Sequence, residues 1–524
     1  MKENYKIINE YILKNETVNF DHLIENKEKS EIFEQLEEFT GEERPEIIHQ
    51  LWYDKKKYLR FNKKEVDEDR VIYSFSVLTV QLAEFDRAYF EGKFTVEAEE
   101  ISINSNTVNR VIDTLYKPYY CEAVIELRNN ENREKEQIIE RGMNGEWISI
   151  KEFTEPTNAS FPLKIHFSAS PFKIKEMHAE WEDTLEGSEK TAVNSIFDKY
   201  KGKKLNYRDQ PEGKPVFEQL FKNVVESSVH VLRVGQASAN YCYTKTNTGT
   251  STKPNIETHK YYFDVGLPLD GNMLTDDGLS FLEEKIVKGY FRKPGPEAVI
   301  LSHWHCDHLK GAFTMNNVAD MVWIAPVYTI DCKKNESVSR LACYIYSKKM
   351  LAKVPVNRNP IYTCGDFSLY HGEGSTINDS GFMLQLNSTL MPGDCKFDHW
   401  PKGFCQKPSD AKYKYKNLIF PHHGAEMGDK NNRIDCLEDS KDTRVIVPTG
   451  YNTYKHPADN DSLFNGKLYT VFPTNPIIKN KKKNKKGSIF TAYFSASARS
   501  DEVDKASTHL ARTANKEFSI HDKI

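Results

Sequence analysis

The stretch AVILSHWHCDHLKG, residues 298–311, brings three histidines and an aspartate into the six positions 303–308, straight after an apolar run. The run reads as a buried strand that ends and tips into a loop. His303 and His305 stand two apart, so in extended backbone they project to the same side. Asp307 and His308 follow where the chain turns. Such a set can feed two neighbouring metal ions from one loop. Imidazole and carboxylate together suit zinc and tolerate manganese or iron. A single histidine near a strand end is ordinarily a hydrogen-bonded residue; a cluster this dense favours ligation.

A dinuclear site needs a carboxylate to bridge the ions and further histidines to complete their coordination. The sequence offers both in order, each just past a strand-like run. STLMPGD places Asp394 after a turn, LIFPHHGAE presents His422 and His423, and GYNTYKHP ends near His456. Singly these are weak, since HHG is more often an ordinary loop. Together they share a position at strand ends, where α/β folds gather ligands.

The rest of the chain sets the context. At 524 residues it exceeds one hydrophobic core, so two or three domains are expected. Lys+Arg of 72 against Asp+Glu of 76 leaves a net charge of −4, which gives no general attraction to nucleic acid or an anionic membrane. No run approaches the ~18 apolar residues of a membrane helix, and the first twenty residues lack a secretory layout. Nine cysteines without paired spacing fit a reducing compartment better than a disulfide framework, so a cytoplasmic protein is expected.

Residues 1–70 carry apolar positions at helical spacing. From 71 the period becomes two, predicting an antiparallel, sandwich-like β domain that runs with a connector, NYRDQPEGKP, to 225. Over 226–500 short strands alternate with helical stretches such as DDGLSFLEEKIVKGYF and SVSRLACYIYSKKMLAK, which predicts an α/β domain. Residues 501–524 read as a short helix or a frayed tail.

HWHCDH matches the HxHxDH signature of the metallo-β-lactamase superfamily. VGQA at 234–237, YFDVG at 262–266, NDSG at 378–381, MPGD, PHHGA and NTYKHP resemble the series of its ComEC-type competence hydrolase branch, to which bacterial phosphorylcholine esterases are also similar. The resemblance covers about 230–495 and implies an αββα sandwich. It implies that His303 and His305 hold one metal, and that Asp307, His308 and one of His422 and His423 hold the other. Asp394 would bridge both, and Asp264 would orient a ligand from behind.

Three departures stand out. The third histidine that many members use on the first metal is absent; its region reads Asn378-Asp379-Ser380, where Asp379 or Asn378 could donate an oxygen, or water could fill the position. Lys310 replaces a small residue and would either reach an anionic substrate or point to solvent. Cys306 reads as filler.

The resemblance implies a hydrolase with two divalent cations, zinc first and manganese second, whose shared hydroxide attacks a phosphodiester. Nucleic acid is the first substrate class. His456 is then a candidate for phosphate contact or leaving-group protonation, its alternative being a surface turn. KNKKKNKKG at 479–487, with Lys481, Lys482, Lys483 and Lys485, could add phosphate contacts or form a solvated hairpin loop. The alternatives are a phosphocholine-type or cyclic-nucleotide esterase, and a degenerate-site binding protein. In the leading reading the N-terminal half would recruit substrate or a protein partner, and a binding protein would work through that half.

Overall fold

A computed structural model describes most of residues 56–448, together with 470–473 and 518–523. Outside the described residues lie 1–55, 67–69, 81, 84–85, 87–89, 91–117, 129–132, 169–173, 251, 269–279, 331–335, 356, 405–414, 426, 428–435, 439–442, 449–469, 474–517 and 524. The sequence expectations for the N-terminal helices, His456 and the lysines 481, 482, 483 and 485 fall there. The chain divides into two compact units, Met1–Asn206 with Tyr328–Lys349, and Tyr207–Val327 with Met350–Ile524.

In the first unit six strands, β1 (Lys57–Val66), β2 (Arg70–Leu78), β3 (Tyr120–Arg128), β4 (Ile148–Phe153), β5 (Phe161–Ser168) and β6 (Ile174–Thr184), form a closed antiparallel barrel in the order β1-β2-β3-β5-β6-β4. Closure comes from β4 on β1, where Lys57, Tyr58 and Leu59 face Ile150, Ser149 and Ile148. The expected sandwich is corrected here. Period-two alternation reports that one face of each strand is buried, not whether the last strand returns to the first. Helical character was also expected up to residue 70, but β1 starts at Lys57. Pairing with β2 and β4 outweighs the local preference of the lysine-rich stretch. Phe75 and Phe161 are buried and the half-buried Trp181 packs against both, with the Phe161–Trp181 ring centroids 4.7 Å apart.

The helix Glu336–Ser347 also belongs to this unit and is buried from Glu336 to Ile345. Arg60 and the Ser76 hydroxyl both donate to the Glu336 carboxylate. Arg340 forks onto Asp86, with Nη2 to Oδ2 at 2.8 Å, and the Tyr119 hydroxyl donates to the same carboxylate at 2.9 Å. The sequence reading had placed this helix in the α/β domain. Its apolar periodicity is the same whichever core receives it.

The second unit holds two seven-stranded sheets. The first contains β7 (Val224–Val231), β8 (Ala239–Asn247), β9 (Ile256–Val265), β10 (Ala298–Ile300), β11 (Val322–Ile324) and β12 (Leu351–Ala352). The second runs in sequence order through β13 (Tyr362–Cys364), β14 (Phe367–His371), β15 (Phe382–Leu386), β16 (Thr389–Met391), β17 (Asn417–Ile419), β18 (Arg444–Val447) and β19 (Thr470–Pro473). The C-terminal strand β20 (Phe518–Lys523) pairs antiparallel with β7 on the edge of the first sheet, in place of the expected helix or frayed tail. Strands β9 to β12 are parallel, as are β16 to β19.

The sheets share one core. Phe263 and Ile300 of the first cluster with Phe367, Leu384 and Ile446 of the second, and the helix Gly213–Phe221 adds Phe217, Leu220 and Phe221. That helix moves the start of the unit upstream of the expected 226. Among the described residues no helix is long and apolar enough to cross a membrane. Cys436 is disulfide-bonded, which sequence spacing did not reveal.

Cutting one member of a buried charge pair strands the other in a low-dielectric interior. Asp86→Ala is therefore expected to destabilise the first unit by about 3–5 kcal/mol, read as a lower urea midpoint by tryptophan fluorescence. A shift under about 1 kcal/mol would contradict the role given to the Arg340–Asp86 pair.

Candidate metal centre

The site is assembled at the carboxyl ends of parallel strands. Past β10 the chain runs through Ser302 into the histidine loop, and Asp264, near the end of the neighbouring β9, holds that loop from behind. Asp264 Oδ1 accepts the Ser302 backbone N–H at 2.7 Å; its Oδ2 accepts the Ser302 hydroxyl at 2.9 Å and His308 Nδ1 at 2.8 Å. Asp264 sits in left-handed backbone, φ 59°, with no solvent exposure. Two residues on, Gly266 allows the strand to approach the loop, since a Cβ there would overlap the Asp307 carbonyl oxygen. Trp304 points away from the histidines that flank it and donates its indole N–H to the Pro326 carbonyl at 2.7 Å.

Two groups of donor atoms result. His303, His305 and Asp394 lie with their ligand atoms within 4.8 Å of one another, and so do Asp307, His308 and His423. Asp394, just past β16, stands between them. Its Oδ2 is 3.7 Å from His303 Nε2, and its Oδ1 is 3.1 Å from His308 Nε2 and 3.9 Å from His423 Nε2. His423 Nε2 is 3.0 Å from Asp307 Oδ2, and its Nδ1 donates to the Pro448 carbonyl at 2.7 Å. His308 and His423 thus use Nδ1 on a fixed acceptor and turn Nε2 inward, the arrangement that second-layer acceptors impose on metal-binding imidazoles.

The donor set fits divalent cations. His308 Nε2 is buried and makes no hydrogen bond of acceptable geometry, although Asp394 Oδ1 is close by. A buried nitrogen aimed at a carboxylate without bonding it is what a cation seat between them leaves.

The charges are strongly coupled. Burial opposes a proton on His308, but the carboxylates of Asp394 and Asp264 outweigh it and hold the imidazole well above its ordinary value. Burial also opposes His423, which Asp394 and Asp307 raise. Burial, with the neighbouring imidazoles, pushes His303 well down, and burial lowers His305. Against burial, His308 and His423 keep Asp394 well below the usual carboxylate range, and the His423 hydrogen bond with the His308 and His423 charges lowers Asp307.

Of the residues the sequence singled out, His303, His305, Asp307, His308, Asp394 and His423 come together. Asp264 lies outside both groups and is bonded to Ser302 and His308. His422 lies at the margin, its Nε2 3.9 Å from Asp394 Oδ2 and 3.4 Å from Asn378 Nδ2. Asp379 belongs to neither group. Its Oδ2 accepts the Thr376 hydroxyl at 2.7 Å and its Oδ1 the Lys396 N–H at 3.2 Å, so it closes a turn. Lys310 does not point to solvent: it is buried and donates from Nζ to the Pro268 carbonyl at 3.1 Å. Cys306 also stands outside both groups.

Ser302 escaped the sequence reading, although its hydroxyl lies 3.0 Å from His303 Nδ1 and 3.1 Å from His308 Nδ1. Its place directly before the first histidine was the available signal. The Pro448 carbonyl left none. Compared with known proteins, the chain matches no protein-family model and no curated protein sequence.

An imidazole held above its ordinary value binds its proton more tightly in the metal-stripped protein and must lose it to ligate. Zinc uptake is therefore expected to release protons from His308 and His423, whereas His303 and His305, pushed down by burial, have less to give. Calorimetry in two buffers of different ionisation enthalpy reads the release; a buffer-independent heat would contradict it. The same sign governs stability. In the stripped protein the His308 and His423 pairings contribute fully below the ordinary imidazole value and are lost as pH rises through their elevated ones.

Proposed function

We propose that the chain is a hydrolase of the metallo-β-lactamase superfamily, close to its ComEC-type branch, that uses two divalent cations to cleave phosphodiesters, with nucleic acid as the leading substrate class. The observation that carries this reading is the carboxylate of Asp394, which offers one oxygen to each of two donor groups. Two sheets packed over a common core, with every donor at a strand end, support the αββα sandwich the motifs imply.

His303 and His305 would hold one cation, and Asp307, His308 and His423 the other, with Asp394 between them. Bound there, zinc or manganese would supply Lewis acidity and a water acidified toward neutral pH. The chain's own residues do the positioning. Asp264 fixes the face and tautomer of His308, and the Pro448 carbonyl does the same for His423. The cluster is almost fully buried at His303, His308, Asp394 and His423, which keeps competing water from their lone pairs. Phosphodiesters suit such a centre because their non-bridging oxygens carry charge that paired cations neutralise.

Metal analysis and a substrate panel of plasmid, single-stranded DNA, RNA and a chromogenic bis-phosphate ester test the reading together. Wild type should hold about two ions per chain. His305→Ala and Asp394→Asn should each lower phosphodiester cleavage by at least about 100-fold. Well under one ion per chain with excess zinc or manganese would overturn the proposal. Cleavage of the small ester alone would move the substrate class away from nucleic acid.

A further inference from the structure

Strand β8 alternates strictly between its two faces. Cys242 and Thr244 turn inward and are fully buried, while Tyr241, Tyr243 and Lys245 stand half-exposed on the other side. The register carries that outer face sideways. His230 of β7 and Tyr262 of β9 flank Tyr241, and Lys260 of β9 lies beside Tyr243. Ring centroids are 5.9 Å apart for His230–Tyr241, 6.0 Å for His230–Tyr243 and 5.6 Å for Tyr241–Tyr262.

The helix Leu282–Phe291 accounts for one side of this aromatic row. The Tyr262 hydroxyl donates to the Tyr290 carbonyl at 3.2 Å, its ring meets Phe291, and it is almost fully buried. The Tyr290 ring reaches Tyr241, with centroids 5.3 Å apart. Helix packing thus explains Tyr262, but Tyr241, Tyr243 and His230 keep part of their surface in solvent. The row also begins close to the metal centre. Ser238, three residues before Tyr241, donates its backbone N–H to the Asp307 carbonyl at 3.1 Å. Tyr243 stands about 7 Å farther along the strand.

Rings outweigh charge on this face. Lys245 Nζ lies 3.0 Å from Glu226 Oε2, and the Tyr243 hydroxyl donates to the same carboxylate at 3.4 Å, so one of the two lysines is neutralised. A duplex keeps its bases stacked inside and is gripped through its phosphates, which calls for many cations. Unpaired bases offer flat faces that stack on aromatic side chains whatever the sequence. Alternate positions on β8 give each base a ring of its own.

Resting on the phosphodiester reading above, we infer that Tyr241 and Tyr243, with His230 beside them, form a stacking platform for the unpaired bases of a single-stranded nucleic acid that leads to the metal centre.

Fluorescence anisotropy of a labelled single-stranded oligonucleotide tests this on the full chain, with a chelator present so that the strand stays intact. Tyr241→Ala and Tyr243→Ala should each weaken binding by about 5- to 100-fold, and Tyr243→Phe, which keeps the ring, should bind as wild type does. The affinity of wild type should fall less than about 10-fold between about 50 and 200 mM salt. Unchanged binding in both alanine variants, equal affinity for the matching duplex, or a steep salt dependence would each overturn the inference. Should the alanine variants not fold by circular dichroism, ultraviolet crosslinking of an iodouracil-substituted strand to wild type decides. Crosslinks should map to Tyr241 or Tyr243, and crosslinks found only elsewhere would overturn it. Wild type that cleaves the chromogenic ester but binds no single strand overturns this inference and leaves the hydrolase reading standing. Wild type that takes up no metal yet binds strands through these tyrosines does the reverse.

Discussion

A single fully buried carboxylate, that of Asp264, fixes the loop on which the rest of the centre depends. It takes the backbone N–H and hydroxyl of Ser302 and the Nδ1–H of His308, so three bonds set the start, the turn and one candidate ligand of the loop. A carboxylate without solvent would be costly if any of these partners were lost, and the loop cannot drift without losing one. The geometry follows from parallel pairing of β9 and β10, Phe263 against Ile300, which brings Asp264 and Ser302 out of adjacent strands at the same end. The second sheet repeats the logic. β16, β17 and β18 are parallel neighbours, and the segments past their ends deliver Asp394, the His422–His423 turn and the Pro448 carbonyl.

The centre was legible in the sequence to the extent that its chemistry sits in side chains at regular spacing. His303 and His305 share a side because the backbone between them is extended, and Trp304 takes the other side as alternation requires. What was not legible rests on groups without a distinctive residue. A serine before a histidine is common, and a carbonyl such as that of Pro448 belongs to every residue. Asp379, one of the oxygen donors offered in place of the missing histidine, accepts the hydroxyl of Thr376 three positions earlier, a turn-closing bond that spacing alone does not announce. The burial of Lys310 was equally hidden, because a lysine is tolerated inside when its ammonium meets a carbonyl.

The same distinction separates the two units. Strand periodicity marked β2 to β5, but most of β6 (Ile174–Thr184) falls in a stretch that reads as helical and polar, and barrel closure depends on three residue pairs between β1 and β4 that no local pattern encodes. The helix Glu336–Ser347 is a stronger case. Val338, Leu341, Ala342 and Ile345 are all buried, and each is worth roughly 1–3 kcal/mol away from water. Sequence order places this helix between β11 and β12, strands that pair in the second unit, yet its polar groups choose Arg60, Ser76 and Asp86. The first unit is thus not merely the N-terminal part of the chain; it is completed by a segment drawn from within the other.

That insertion bears on the centre through the strand it follows. β10 lies between β9 and β11, and its loop is bonded on both sides: Asp264 from the β9 side, and the Pro326 carbonyl, two residues beyond β11, through the Trp304 indole. The Tyr207 hydroxyl donates to the same carbonyl at 3.4 Å. Pro326 lies two residues before Tyr328, where the chain enters the segment that belongs to the first unit. The loop that carries four of the candidate ligands is therefore clamped between a carboxylate of one neighbouring strand and the exit of the other. A fixed cluster of imidazoles and carboxylates needs both anchors, because an extended loop held from one side alone could rotate its histidines away from Asp394.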